Sequence, residues 1–508
     1  MLTQAAETFR SLAPNGVDWS SIAPEIALGV WALYVLLREA FRKPGSRGAA
    51  TFTTIFLLLF SLLCVRNAFA IPAGASASFF GGMIEQSRTT ELLRAFFLFS
   101  GFLTTLLGGT LLKKQGVPQA EFDVLILLAT AGLMLLAQVR DFILLFVALE
   151  TMSISMYVLV AYIRHSASSL EAGIKYLTQS GLSSALLLAG IALLFGAAGN
   201  TALPGACADP FSFRELRVFI FLNQGNAFVL GGAALVLCGL FFKIAAVPFQ
   251  IWVGDVYQGA PTPVTAYLGV ASKAAGFVLL VNVVTGPLLP LRGVLLPLLS
   301  AVAILTILFG NLAALGQQNV KRLMGLSGIA HAGYLLMGVC AAMALNVDWP
   351  IVAVYFYLFT YLLASYAIFG VMSVLSGEDD SAQTLNDYAG LMKRDSFLGG
   401  ILAVSLGSLA GIPPMAGFVA KLFLFIAAFT AHLYWLAAVG LFGVVVSIYY
   451  YFNWMRVAVF VPCKTEDEVE AGTLKAAPIA SGFWLRTVLT TLALITVCLG
   501  FWQGFLAL

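Results

Sequence analysis

This 508-residue sequence is short of charge: only 10% of its residues are Asp, Glu, Lys or Arg, against about 25% in an ordinary soluble domain. That shortage excludes a soluble multidomain enzyme and a disordered chain. The net charge of +3 offers no basic surface for nucleic acid. Histidine is scarcer still. Three histidines cannot ligate two haems in a membrane cytochrome, and His165 and His432 fall near helix ends. Six cysteines (Cys64, Cys207, Cys238, Cys340, Cys463, Cys498) are scattered without a CxxC or metal-ligand spacing, most of them in apolar runs. No GxGxxG unit or P-loop is present, so the sequence implies no bound nucleotide, metal or other cofactor. Residues 1–14 lack the charged segment and cleavage site of a secretory signal, so the first helix is expected to be retained.

What the sequence has is apolar length. Hydrophobic residues make up 60% of it, in runs long enough for helices rather than the alternating strands of roughly ten residues that build a membrane barrel. Fourteen candidate spans fall near residues 22–40, 50–71, 93–112, 121–139, 141–163, 171–197, 225–249, 261–285, 293–313, 325–345, 350–375, 397–428, 430–457 and 483–507. The expected fold is therefore an all-α polytopic membrane protein embedded in the lipid bilayer. Its 27 Lys and Arg residues set the orientation. With the N-terminus outside, sixteen lie in cytoplasmic loops and eight in outer ones. Both termini are thus expected on the outer, periplasmic side. The three that remain, Lys243, Lys273 and Lys421, are stranded inside spans.

An ionised side chain at the bilayer centre costs roughly 2.5–3.5 kcal/mol and commonly marks an ion path. Glu150 joins the three lysines, about 13–14 Å beyond the polar turn at Arg140 and Asp141. Lys273 lies about 15 Å beyond Pro263. Snorkelling and a purely structural Glu–Lys pair are the bland readings. Groups this deep strain to reach a headgroup, and one carboxylate cannot match three amines. A relay in which proximity to Glu150 tunes a lysine's hold on its proton accounts for all four.

Two spans are also interrupted. Pro248 follows Lys243 by five residues, and Pro413-Pro414 precede Lys421 by seven. Non-helical backbone at membrane depth requires a protein-lined or watery cavity, and matched interruptions in two halves are a transporter signature. The sequence then divides into spans 1–3 (residues 1–120), a five-helix unit (121–285), an inverted second unit (286–457), and a cytoplasmic loop with the last span (458–508). Other charges read as ordinary. Glu171 and Lys175 form an i,i+4 surface pair by default, with proton uptake as the alternative. The series Glu85, Arg88, Glu91, Arg94 reads as a solvated helix face. Glu378, Asp379, Asp380 and residues 464–470 read as loop charges. His331, at the start of an apolar helix, is either a satisfied polar residue or a relay element.

Several stretches resemble the antiporter-like membrane subunits of respiratory complex I, the NADH-quinone oxidoreductase. They are LETMSISMYVLVAY (149–162), EAGIKYLTQSGLSSALLLAGIALLFG (171–196), FKIAAVPFQIWVGDVYQGAPTPVTAYLGVASKAAGF (242–277), QQNVKRLMGLSGIAHAGYLLMG (317–338), LNDYAGLMKRD (385–395) and SLAGIPPMAGFVAKLFLF (408–425). The DVYQGAPTPV segment followed by ASKAAGF is similar to one branch of that family more than to the others. The resemblance implies a proton-translocating module of the bacterial inner membrane, with NADH, FMN, iron–sulfur clusters and quinone held by partner subunits. It implies relay roles for Glu150, Lys243, Lys273 and Lys421, and matches Lys175 and His331 to a family lysine and histidine. At Gln250 the relatives usually carry histidine, and glutamine cannot titrate. Two alternatives stand beside it: a cation/proton antiporter subunit, and a structural membrane-arm subunit that does not pump.

Overall fold

The computed structural model describes residues 19–41, 50–376, 380, 383–462 and 482–501. Thirteen helices among these are long and apolar enough to cross a membrane, and two shorter ones, Ser396–Ala410 and Ala416–Thr430, stand where the twelfth span was expected. Leaving the short helices Phe213–Leu222 and Leu391–Arg394 unnumbered, the helices in chain order are α1 (Ala23–Ala40), α2 (Ala50–Ala70), α3 (Arg88–Gln115), α4 (Ala120–Gln138), α5 (Phe142–Val160), α6 (Ala167–Ala198), α7 (Ala227–Ile244) and α8 (Trp252–Gly259). They continue with α9 (Thr262–Thr285), α10 (Arg292–Ala314), α11 (Val320–Leu345), α12 (Trp349–Leu375), α13 (Ser396–Ala410), α14 (Ala416–Thr430), α15 (Tyr434–Phe460) and α16 (Phe483–Phe501). An antiparallel hairpin of β1 (Ser76–Phe79) and β2 (Ile84–Ser87) lies between α2 and α3. Residues 1–14, Arg42, Lys43, Arg47, Glu378, Asp379, Cys463, residues 464–470 and Lys475 lie outside the described residues.

Helices dominate because lipid cannot satisfy backbone N–H and C=O groups, so each span must pair its own. Polar residues set their ends. Asp141 accepts from the Ile143 and Leu144 amides at 2.7 and 3.2 Å, which starts α5 with only three residues between it and the end of α4. Lys114, at the end of α3, donates to the Ser373, Val374 and Ser376 carbonyls at 3.0–3.2 Å and so caps α12. Nearly all of α9, α11 and α12 is buried, and these helices form the centre. At the edge, α1 and α2 present Leu33, Leu36, Leu59 and Leu62 outward. Small residues let backbones approach: a Cβ on Gly310 of α10 would lie 2.3 Å from the Ala330 amide nitrogen of α11.

Four expectations are corrected. Glu91 and Arg94 are not solvated; they are 3% and 1% exposed, in an ion-pair cluster with Glu25 of α1. Asp380 is not a free loop charge, since it pairs with Lys321 at 3.0 Å. Lys321 is not in a loop either, because α11 begins at Val320 and buries it to 2% exposure. That earlier start also puts His331 about 16 Å inside its helix rather than at its beginning.

Candidate functional site

The first interruption is sharp. Helix α7 ends at Ile244, and Ala245 takes a left-handed φ of 59°. Lys243 therefore sits in the last turn of a half-helix, at the negative end of its macrodipole, where a cation gains about 0.3–1 kcal/mol. Its amine donates to Ser153 Oγ of α5 at 2.8 Å and Ser180 Oγ of α6 at 2.9 Å. Tyr157 donates to the same Ser180 at 2.9 Å. One turn along α6, Ser184 donates to Glu150 Oε1 at 2.5 Å. Glu150 and Lys243 thus share a cluster, yet among the described residues no ion pair joins them directly. Hydroxyl groups stand between.

Lys273 follows a π-helical turn, Leu268–Ser272, in α9, a backbone irregularity that recurs at functional sites. It is 3% exposed and donates to the Gly328 carbonyl of α11 at 2.7 Å, with its amine 5.5 Å from the Tyr361 ring centre. Three residues on, Gly276 packs against the backbone of Lys243 and Ile244, which brings the two lysine-bearing helices into contact.

Tyr361 connects Lys273 onward. Its ring centre lies 5.0 Å from that of His331. The imidazole is buried, with Nδ1 2.6 Å from Tyr357 Oη and Nε2 3.1 Å from Tyr451 Oη. His331, Tyr357, Tyr361, Ser408 and Lys421 line a small cavity of about 10 Å³, room for about one water. Lys421, on α14, reaches back across the second interruption to the carbonyls of Leu409 and Ala410 at 2.7 and 3.0 Å, in the last turn of α13. Gly411, with φ 85°, makes that turn, and a Cβ there would sit 3.0 Å from Lys421 Cδ. Both interruptions thus place a lysine amine on the C-terminal end of a half-helix. An apolar groove of about 460 Å³ between α14 and α15 is also lined by Lys421.

Lys175 is placed elsewhere. It bonds Glu171 and Asp255, both at 2.7 Å, and Asp255 also takes Arg322 at 3.0 Å. This half-exposed network ties α6, α8 and α11 together, and the Lys175 hydrogen bond holds the Asp255 carboxyl below its usual range. The expected i,i+4 pair is present, enlarged by a partner that sequence spacing could not supply. Gln250, 8% exposed, lies in the link between α7 and α8, and its Oε1 has no hydrogen-bond partner.

Sequence reasoning missed the latch at Lys321. Its amine donates to the Ala260 carbonyl at 2.7 Å and to Asp380, which in turn accepts from the Thr262 amide at 2.9 Å and hydroxyl at 2.8 Å. The loop after α12 so caps the start of α9. No local pattern signals it, because the partners are more than fifty residues apart. The described residues contain no group of three or more His, Cys, Asp or Glu arranged to hold a metal.

The fold and its line of buried amines define a polytopic α-helical membrane protein of the antiporter-like class. A family model described as NADH:quinone oxidoreductase/Mrp antiporter membrane protein matches residues 139–447. The chain is 49% identical over 488 residues, 96% of each chain, to NADH-quinone oxidoreductase subunit N 1 of Opitutus terrae. A chain of respiratory complex I from Thermus thermophilus superposes with a TM-score of 0.74 at 28% identity, over 95% of this chain and 97% of that one. A chain of the Mrp complex from a Dietzia species gives a TM-score of 0.76 at 21% identity, over 96% and 95%, a likeness of fold alone. The chain belongs to the NADH-quinone oxidoreductase/Mrp antiporter membrane family, in the branch of subunit N.

Proposed function

We propose that this chain conducts protons across the bacterial inner membrane within the membrane arm of NADH-quinone oxidoreductase. NADH oxidation and quinone reduction take place on FMN, iron–sulfur clusters and quinone in partner subunits. One observation supports this above others. Lys243, Lys273 and Lys421 are 3–5% exposed, and no carboxylate lies within ion-pair distance of any of them among the described residues. A buried, uncompensated ammonium is costly, so each amine gains by passing its proton on.

In this reading Glu150 and Lys243 exchange a proton through the Ser184, Ser180 and Ser153 hydroxyls. Lys273 hands on through Tyr361, His331 and the water-sized cavity to Lys421, and release follows at the broken α13–α14 pair. Lys175, held by Glu171 and Asp255, supplies uptake at the cytoplasmic face. Both termini lie on the outer side, and α4–α9 and α10–α15 act as two inverted units. Gln250 replaces the titrating group of relatives with one that only orients water.

Lys421→Ala in the assembled complex tests the reading. Proton pumping in vesicles should fall while the complex remains intact. Unimpaired pumping would leave only a structural role, and sodium-dependent turnover insensitive to protonophores would favour a cation antiporter.

A further inference from the structure

Donors crowd the Asp380 carboxylate. It accepts from the Thr262 amide at 2.9 Å and hydroxyl at 2.8 Å, from the Lys321 amine at 3.0 Å and from Gln383 Nε2 at 3.1 Å. These partners belong to the start of α9, the start of α11 and the loop after α12. Lys321 also donates to the Ala260 carbonyl at the end of α8, at 2.7 Å. The Val320 amide bonds the Gln383 carbonyl at 2.9 Å, which stitches the loop to α11. Asp380 keeps this place with a left-handed φ of 54°, a conformation that is costly for a non-glycine residue and persists where its contacts over-determine it.

The elements gathered there are the ones that surround Lys273. Helix α9 carries that lysine, α11 the Gly328 carbonyl that its amine bonds at 2.7 Å, and α12 the Tyr361 ring centred 5.5 Å away. Lys273 lies about 16 Å along α9 from Thr262, and Gly328 about 10 Å along α11 from Lys321. The lysine side chain leans back toward the start of its own helix and closes the difference. Between Thr262 and Lys273 stands the π turn Leu268–Ser272, where the regular helical ladder is interrupted. Tyr257 of α8 wedges between that turn and α11: a Cβ on Gly269 would lie 3.2 Å from its Oη, and one on Gly325 3.0 Å from its ring. A slip of α9 by one residue is about 1.5 Å, enough to break the bond to Gly328.

We propose that Asp380 and Lys321 are positioning residues for Lys273: by tying the starts of α9 and α11 to one carboxylate, they fix the register at which the amine meets the Gly328 carbonyl and the Tyr361 ring. The inference rests on the relay reading of Lys273. A pair that only balanced two buried charges would do nothing that two neutral side chains of similar size could not, because replacing both members of a buried ion pair is commonly neutral for stability. The tie between the helix starts, in contrast, is lost with the pair.

The double variant Asp380→Asn/Lys321→Met in the intact complex tests this, with NADH-driven acidification of inverted membrane vesicles measured per assembled complex. Asparagine tolerates the left-handed backbone and still accepts from Thr262, and methionine keeps an unbranched chain at residue 321. The double variant should assemble, yet proton transfer through Lys273 should slow by about 10- to 100-fold, the factor for losing one hydrogen bond to a charged group. In a Gly328→Ala background, where the Lys273 contact is already displaced, it should add nothing, since changes acting through one contact do not combine independently. Wild-type acidification by the assembled double variant, or a further fall when it is added to Gly328→Ala, would overturn the positioning role and leave the relay standing. Wild-type acidification by Gly328→Ala alone would sink the relay reading at Lys273 and this inference with it. If the double variant does not assemble, Thr262→Val decides by the same comparison, because it removes one donor from Asp380 and keeps both charges.

Discussion

Gly328→Ala separates the placement of Lys273 from the stability of the fold. A Cβ at residue 328 would sit 2.5 Å from the Lys273 Nζ and 3.1 Å from the Tyr361 hydroxyl. Ordinary contact needs about 3.5 Å, so the amine must retreat by about 1 Å. That movement breaks its 2.7 Å hydrogen bond to the Gly328 carbonyl. A hydrogen bond to a charged group contributes about 1.5–3 kcal/mol, and each 1.36 kcal/mol is about tenfold in rate. Proton transfer through Lys273 should therefore slow by about 10- to 100-fold. Stability should change little: Ala in place of Gly in a helix interior gains about 0.8–1 kcal/mol, which offsets part of the lost hydrogen bond, and the displaced atom is the tip of a flexible side chain. Inverted membrane vesicles allow both readouts, with the amount of assembled complex measured beside NADH-driven acidification. The reasoning predicts normal assembly with depressed pumping. Wild-type acidification at wild-type assembly would refute it.

Glu150→Gln should lower pumping and quinone reduction together, because the acid end of the Ser184–Ser180–Lys243 cluster no longer changes charge; wild-type quinone reductase activity would contradict that coupling. Lys321→Ala leaves Asp380 buried without its cation, a loss of about 3–5 kcal/mol, and thermal denaturation of the complex should begin at lower temperature than for wild type. Asp255→Asn tests the half-exposed network. Asp255 is held below its ordinary value of about 3.9 by Lys175. Its contribution is thus present above that pH and lost as pH falls through the lowered folded value. Solvent screening keeps it below about 1 kcal/mol, so the variant should match wild type in acid and be slightly less stable at neutral pH. A difference confined to acid pH would contradict the assignment.

Composition and run length were enough to fix the membrane-spanning helical class, because lipid admits few alternatives to a self-paired backbone. Glu150, Lys243, Lys273 and Lys421 stood out for the same reason: an ionisable group inside an apolar run is conspicuous without any partner in view. Pro248 and Pro413-Pro414 likewise announced the interruptions, since proline removes a donor wherever it stands.

Only the tertiary structure decided what each charge meets. Glu91 and Arg94 read as surface residues until α1 and α4 closed over them, and Asp380 looked like loop until it reached Lys321 and Thr262. The same holds for the site. The hydroxyls between Glu150 and Lys243, and the tyrosines and water-sized cavity between Lys273 and Lys421, come from helices far apart in the chain. Burial and hydrogen bonding are properties of neighbours in space, and a linear sequence shows depth along its own helix but not who faces whom.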